Sequence, residues 1–94
     1  MGSLADNIRE AVRDERYVFG VHADQRLRER RIPSWQVIAG VDTATVLRER
    51  PDATPNPVAE FDQTLPDGTT VKVAWAWISQ SRVAKLVTVH FYNR

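Results

Sequence analysis

Apolar residues recur at helical spacing near the start of the chain. Leu4, Ile8, Ala11 and Val12 alternate with charged positions, which predicts a helix from about Ser3 to Glu15 with Ser3 or Asp6 as its cap. Tyr17 to Val21 is β-rich and short, a strand or an extended connector that delivers His22. A second helix is expected from Ala23 to Arg31 and ends before Pro33. Ser34 is the natural cap of a third, from Trp35 to about Gly40, with Val37, Ile38 and Val41 as its buried edge.

From Ala44 the period changes to two. Strands are predicted over Ala44–Arg50, Val58–Leu65, Thr70–Ile78 and Val83–Tyr92. The Pro-rich segment 51–57, the turn Pro66-Asp67-Gly68 and a four-residue hairpin loop at 79–82 separate them. A regular register from that last loop sets Trp75 opposite Leu86, Val73 opposite Thr88 and Val71 opposite His90. It leaves Ala74, Ala76, Val87 and Val89 on the other side, small enough for close helix packing. A one-residue slip would exchange the two faces. Helices followed by strands predict an α+β fold, with N-terminal helices packed on a curved four-stranded antiparallel sheet. At 94 residues the chain reads as one domain, with an N-terminal helix over 1–16 and the rest over 17–94.

Composition narrows the function classes. Without cysteine, a disulfide framework and a thiolate metal site are excluded, and two distant histidines give no metal-ligand spacing. No metal and no cofactor are therefore expected. No apolar run approaches the roughly 20 residues of a membrane span, and the N-terminus has no signal-peptide core. The expected location is cytoplasmic. Net charge is only +1 but unevenly spread. From Asp42 to Asp67 six acids face Arg48 and Arg50, whereas from Gly68 onward Lys72, Arg82, Lys85 and Arg94 stand without an acid. A basic C-terminal hairpin suits an anionic partner.

The chemistry concentrates in His22-Ala23-Asp24-Gln25-Arg26-Leu27-Arg28-Glu29-Arg30-Arg31-Ile32-Pro33. On a helix His22, Arg26 and Arg30 fan over about 80° of one face, bordering the apolar Ala23 and Leu27. An imidazole beside permanent cations suits phosphodiester chemistry, since histidine transfers protons near neutral pH and arginine forks onto phosphate oxygens. Thr88 and His90 from the last strand would complete such a site. The competing readings are structural: His22 bonded to backbone in a first helical turn, Arg30 paired with Glu60 or Asp62, and Thr88 present for its β-propensity.

The helix motif carried by His22, Ala23, Arg26, Leu27, Arg30 and Ile32, followed by Gly68 and the strand Val87-Thr88-Val89, resembles the domain of unknown function 4258. That family is similar to the RelE/barnase/colicin-type ribonuclease toxin fold. The resemblance covers about Val18 to Phe91. It implies a toxin-like, metal-independent endoribonuclease with RNA as substrate and an antitoxin protein as partner. Its polar signature falls on His22, Arg26, Arg30 and Thr88; His90 lies outside the pattern.

The expected catalytic set is thus His22, Arg26, Arg30, Thr88 and His90, and the expected nucleic-acid-binding set Lys72, Trp75, Arg82, Lys85 and Tyr92. Trp75 and Trp77 alternate on one strand. Such a platform stacks bases at about 1–3 kcal/mol each, although at least one of the two is expected in the core. The alternative function is a non-catalytic nucleic-acid- or protein-binding module on the same fold. A third reading takes Trp35 and Trp77 as an exposed contact surface.

Overall fold

Ser3 begins the first helix. Its hydroxyl accepts from the Asp6 N–H at 3.1 Å, and the Asp6 carboxylate accepts from the Ser3 N–H at 3.3 Å, a reciprocal capping box. The computed structural model describes residues 3–92 and shows α1 (Leu4–Arg13), β1 (Tyr17–Phe19), α2 (Val21–Glu29), α3 (Ser34–Gly40), β2 (Thr45–Arg50), β3 (Val58–Thr64), β4 (Thr70–Ile78) and β5 (Val83–Phe91). Ala5, Ile8, Ala11 and Val12 form the buried stripe of α1. Both α1 and α2 end in Schellman turns without glycine. Glu15 (φ 63°) and Arg31 (φ 56°) take the left-handed position, and the N–H groups of Arg16 and Ile32 reach back to the carbonyls of Ala11 and Leu27. At α3 the cap falls on Pro33, and Ser34 is already helical with no capping hydrogen bond.

The sheet has five strands in the order β1-β5-β4-β3-β2 and is not closed. This corrects the expected four-stranded antiparallel sheet: Tyr17–Phe19 pairs in parallel with Ala84–Leu86, so the sheet is mixed. The physical reason is the free edge of β5, which has no hairpin neighbour on that side. The Arg16 carbonyl accepts from the Ala84 N–H at 3.1 Å, and the Gly20 N–H donates to Leu86 at 2.8 Å, closing the short ladder at both ends. The four-residue loop and the Ile78–Val83 pair are as expected.

The register beyond Leu86 is not as expected. Val87 is an extra residue, so Val73 lies opposite Val89 and Val71 opposite Phe91, in place of Thr88 and His90. Uninterrupted alternation would have buried Thr88 and His90 against the helices. One bulge instead lets Leu86, Val89 and Phe91 all enter the core, which avoids burying an imidazole without partners.

All three helices lie over the face carrying Phe61, Val71, Val73, Trp75, Leu86 and Val89, which form one core with the buried side of α1. The Ala74/Ala76/Val87 side is therefore not the helix-packing side. Gln63, 3% exposed, fastens α3 to β3 by donating to the carbonyls of Gln36 and Val37.

Candidate active site

The helix α2 starts at Gly20, tied to Leu86, and ends beside Phe91. The ten residue steps from Gly20 to Arg30 rise about 15 Å as helix, and Leu86 to Phe91, which matches the four steps from Trp75 to Val71 on β4, rises about 13 Å as strand. The two elements therefore run alongside each other, with His22 abreast of the Val87 bulge. Ala23 and Leu27 face the core and hold α2 in place. Arg26 and Arg30 then meet over one ring: their guanidinium carbons lie 5.9 and 4.4 Å from the Phe91 centroid. Neither has a carboxylate partner among the described residues, whereas Arg28 pairs with Asp24 at 2.9 Å. Glu60 and Asp62 are engaged elsewhere, so Arg30 is not braced by them. His22 is exposed at the second helical position and makes no backbone hydrogen bond through its ring among the described residues.

Thr88 and His90 do not join this trio. The bulge turns them to the opposite face of the sheet, which no helix covers. There the register aligns three cross-strand rungs: Arg50, Val58, Ala76 and Lys85; then Arg48, Glu60, Ala74 and Thr88; then Thr45, Asp62, Lys72 and His90. Glu60 sits in their midst with its side chain 14% exposed, 2.8 Å from the Arg50 guanidinium and 4.0 Å from the Lys72 ammonium. Asp62 accepts the Tyr92 hydroxyl at 2.8 Å, and the His90 ring stands edge-on to Tyr92 with centroids 5.8 Å apart. That hydrogen bond to a carboxylate raises the Tyr92 pKa above its ordinary value, with burial and the charges of Asp62 and Glu60 adding in the same direction.

Of the expected binding set, Lys72, Lys85 and Tyr92 share this open face. Arg82 stands at the far end of β5, in the β4–β5 turn at φ 58°, roughly 20 Å of strand from His90. Trp75 is 0% exposed and Trp77 8%, so neither offers a ring to a base or a partner; both belong to the core, and Trp75 leaves the binding set. Trp35 is 60% exposed on α3.

Glu60 and Arg50 stand in this cluster although neither belongs to the expected catalytic or binding set. The signal was present in β3, where Glu60 and Asp62 alternate with Ala59, Phe61 and Gln63. Among the described residues no group of three or more His, Asp or Glu is placed to hold a metal ion, and no helix is long and apolar enough to cross a membrane.

This is an α+β domain with helices on one face of a mixed sheet and a polar, cation-rich opposite face. Residues 19–91 match the family model described as "Domain of unknown function (DUF4258)", and the chain belongs to that family. Neither the curated proteins nor the solved structures compared with it contain a match.

Proposed function

We propose that the chain is a toxin-like endoribonuclease domain that cleaves RNA without a metal, on the open face of its sheet. The observation that carries this reading is the half-buried Glu60 carboxylate held by Arg50 and Lys72, one rung from His90. Strands lie about 4.8 Å apart, so Glu60 and His90 are separated by roughly 12 Å between Cα atoms, with Lys72 between them. Side chains reaching inward from both can flank one phosphodiester.

In this reading the Glu60 carboxylate takes the proton of the RNA 2′-hydroxyl, whose oxygen attacks the adjacent phosphorus. Lys72 and Arg50 neutralise the charge gathering on the phosphorane oxygens. The His90 imidazolium gives its proton to the departing 5′-oxygen, leaving a 2′,3′-cyclic phosphate and a free 5′-hydroxyl. Thr88 donates a hydrogen bond from the neighbouring rung. His22, Arg26 and Arg30 flank the same stretch of β5 from the helix side and hold the strand of RNA that passes the edge. An antitoxin that neutralises the domain would cover the open face.

Cleavage of RNA in EDTA by the wild-type chain, His90→Ala, Glu60→Gln and His22→Ala tests it. Loss of one proton transfer is expected to slow His90→Ala and Glu60→Gln by about 10²–10⁴-fold, with His22→Ala affected less. A variant pattern in which only His22→Ala fails would place the chemistry on α2. Salt-sensitive RNA binding with no turnover by any of the four would replace the enzyme with a binding module.

A further inference from the structure

On the open face Thr54, Pro55 and Asn56 stand beside the first rung and border an open-sided cavity of about 210 Å³. Its floor is Val58, Ala76 and Val87, and its rim is Thr54, Pro55 and Asn56, with Lys85 at one side. We propose that this cavity is a nucleobase subsite, which sets which base precedes the scissile phosphate; this rests on the open face being the RNA surface.

Four features lead there. The volume falls below the roughly 300 Å³ of drug-sized sites and suits a single heterocycle. The floor exists because β4 brings only the methyl group of Ala76 to this rung, with Ala74 next to it and Lys72 one rung further on; Ala76 is 5% exposed yet lies outside the main core. The rim supplies the Asn56 amide, both donor and acceptor, which makes no hydrogen bond within the described residues. Lys85 has no carboxylate partner among them either, and its stem lies beside Gly20, where an added Cβ would be 3.3 Å from Lys85 Cε. The lysine therefore borders both the cavity and the start of α2.

Position decides the ligand class. Val58, Ala76 and Lys85 form the rung next to that of Glu60 and Thr88, about 7 Å along the strands. That is the reach from a base to the phosphate of its own nucleotide. A planar ring lying on the alanine and valine floor, read at its edge by Asn56, would put its 3′-phosphate between Glu60 and Lys72.

The test is methyl-detected NMR titration of the wild-type chain with each of the four nucleoside 3′-monophosphates, with ribose 5-phosphate and inorganic phosphate in parallel. Mononucleotides need no cleavage to bind, so failure here is separable from failure of the ribonuclease reading. The expected result is a shift of the Val58, Ala76 and Val87 methyls by at least one nucleotide and not by ribose 5-phosphate. Asn56→Ala should weaken binding about tenfold, the loss of one buried hydrogen bond. Ala76→Leu should abolish it by filling the floor; should that variant not fold, Asn56→Ala on the surface segment decides. Equal shifts from ribose 5-phosphate, or no response of these methyls to any nucleotide, would overturn the proposal.

Discussion

Replacing Arg30 by alanine separates a structural arginine from one kept for an anion. Arg30 is exposed, its guanidinium lies 4.4 Å from the Phe91 centroid, and no carboxylate partners it among the described residues. An exposed cation–π contact contributes about 0.5–1 kcal/mol. For a domain of this size that corresponds to a fall in Tm of about 2–8 °C. Phe91 is the contrasting case: it is 6% exposed in the core, and truncating it should cost about 3–5 kcal/mol. The fold therefore depends on the ring and only slightly on the guanidinium above it.

Two assays read the difference. Thermal or urea unfolding gives the stability change. Salt-dependent binding of a short single-stranded RNA gives the number of phosphates engaged, with each contact adding about 0.7 to the slope of log K against log salt. Arg30→Ala should lose one such contact and little stability. A stability loss above about 2 kcal/mol with an unchanged salt slope would refute the argument and make Arg30 a structural brace.

Three further outcomes follow from the packing. Gly40→Ala would place a Cβ 2.4 Å from Gln63 Nε2, so Gln63 must release the carbonyls of Gln36 and Val37. A net loss of about 1–2 kcal/mol is expected in urea unfolding, after the gain in helix propensity. Truncating Gln63 as well should cancel the steric part in a double-mutant cycle. Glu15→Gly should raise stability by about 0.5–1 kcal/mol, because Glu15 holds φ 63° at the end of α1 where glycine carries no steric penalty. In ultraviolet titration one of the two tyrosines, Tyr92, should ionise above the ordinary value near 10, and Asp62→Asn should bring it down. The sign is that of a raised acid: the Tyr92–Asp62 bond stabilises the fold below pH 10 and is lost as pH rises through the folded value.

Much of the architecture was legible because it depends on local chemistry. Ser3 is one of the two expected caps of α1, and Leu4, Ile8, Ala11 and Val12 keep helical spacing. The strand boundaries around the Pro-rich segment 51–57 and the turn at Pro66-Asp67-Gly68 follow from residues that cannot continue a ladder. What was not legible depends on partners distant in sequence. Tyr17–Phe19 is a strand only because β5 leaves an edge open beside it. Nothing local to Val87 marks a bulge; valine fits a regular strand as well. The same holds for Ser34, a good cap in isolation, which Pro33 displaces because its extended backbone already turns the chain into α3. For the candidate site the consequence was large. His22, Arg26 and Arg30 follow from helical spacing, but their expected partners Thr88 and His90 belong to the other face, and the sequence offers Glu60 only as a brace for Arg30.

The Val87 bulge is where fold and proposed chemistry meet. Before it, β5 sends Ala84 and Leu86 into the core; after it, Val89 and Phe91 take that role. Without the extra residue Phe91 would leave the core side, and Arg26 and Arg30 would lose the ring over which they converge. The same change would bury His90 and remove it from Lys72 and the Glu60 rung. One inserted residue thus sets the phase of both groups, the α2 cations on one side and the polar rungs on the other. The motif helix and the last strand are consequently coupled through this bulge, although their polar side chains do not share a cleft. In the proposed reading the role of His22 and Arg30 runs along the edge of β5, where they hold a passing anionic strand. It does not run through the sheet, whose thickness is filled by Leu86, Val89 and Phe91.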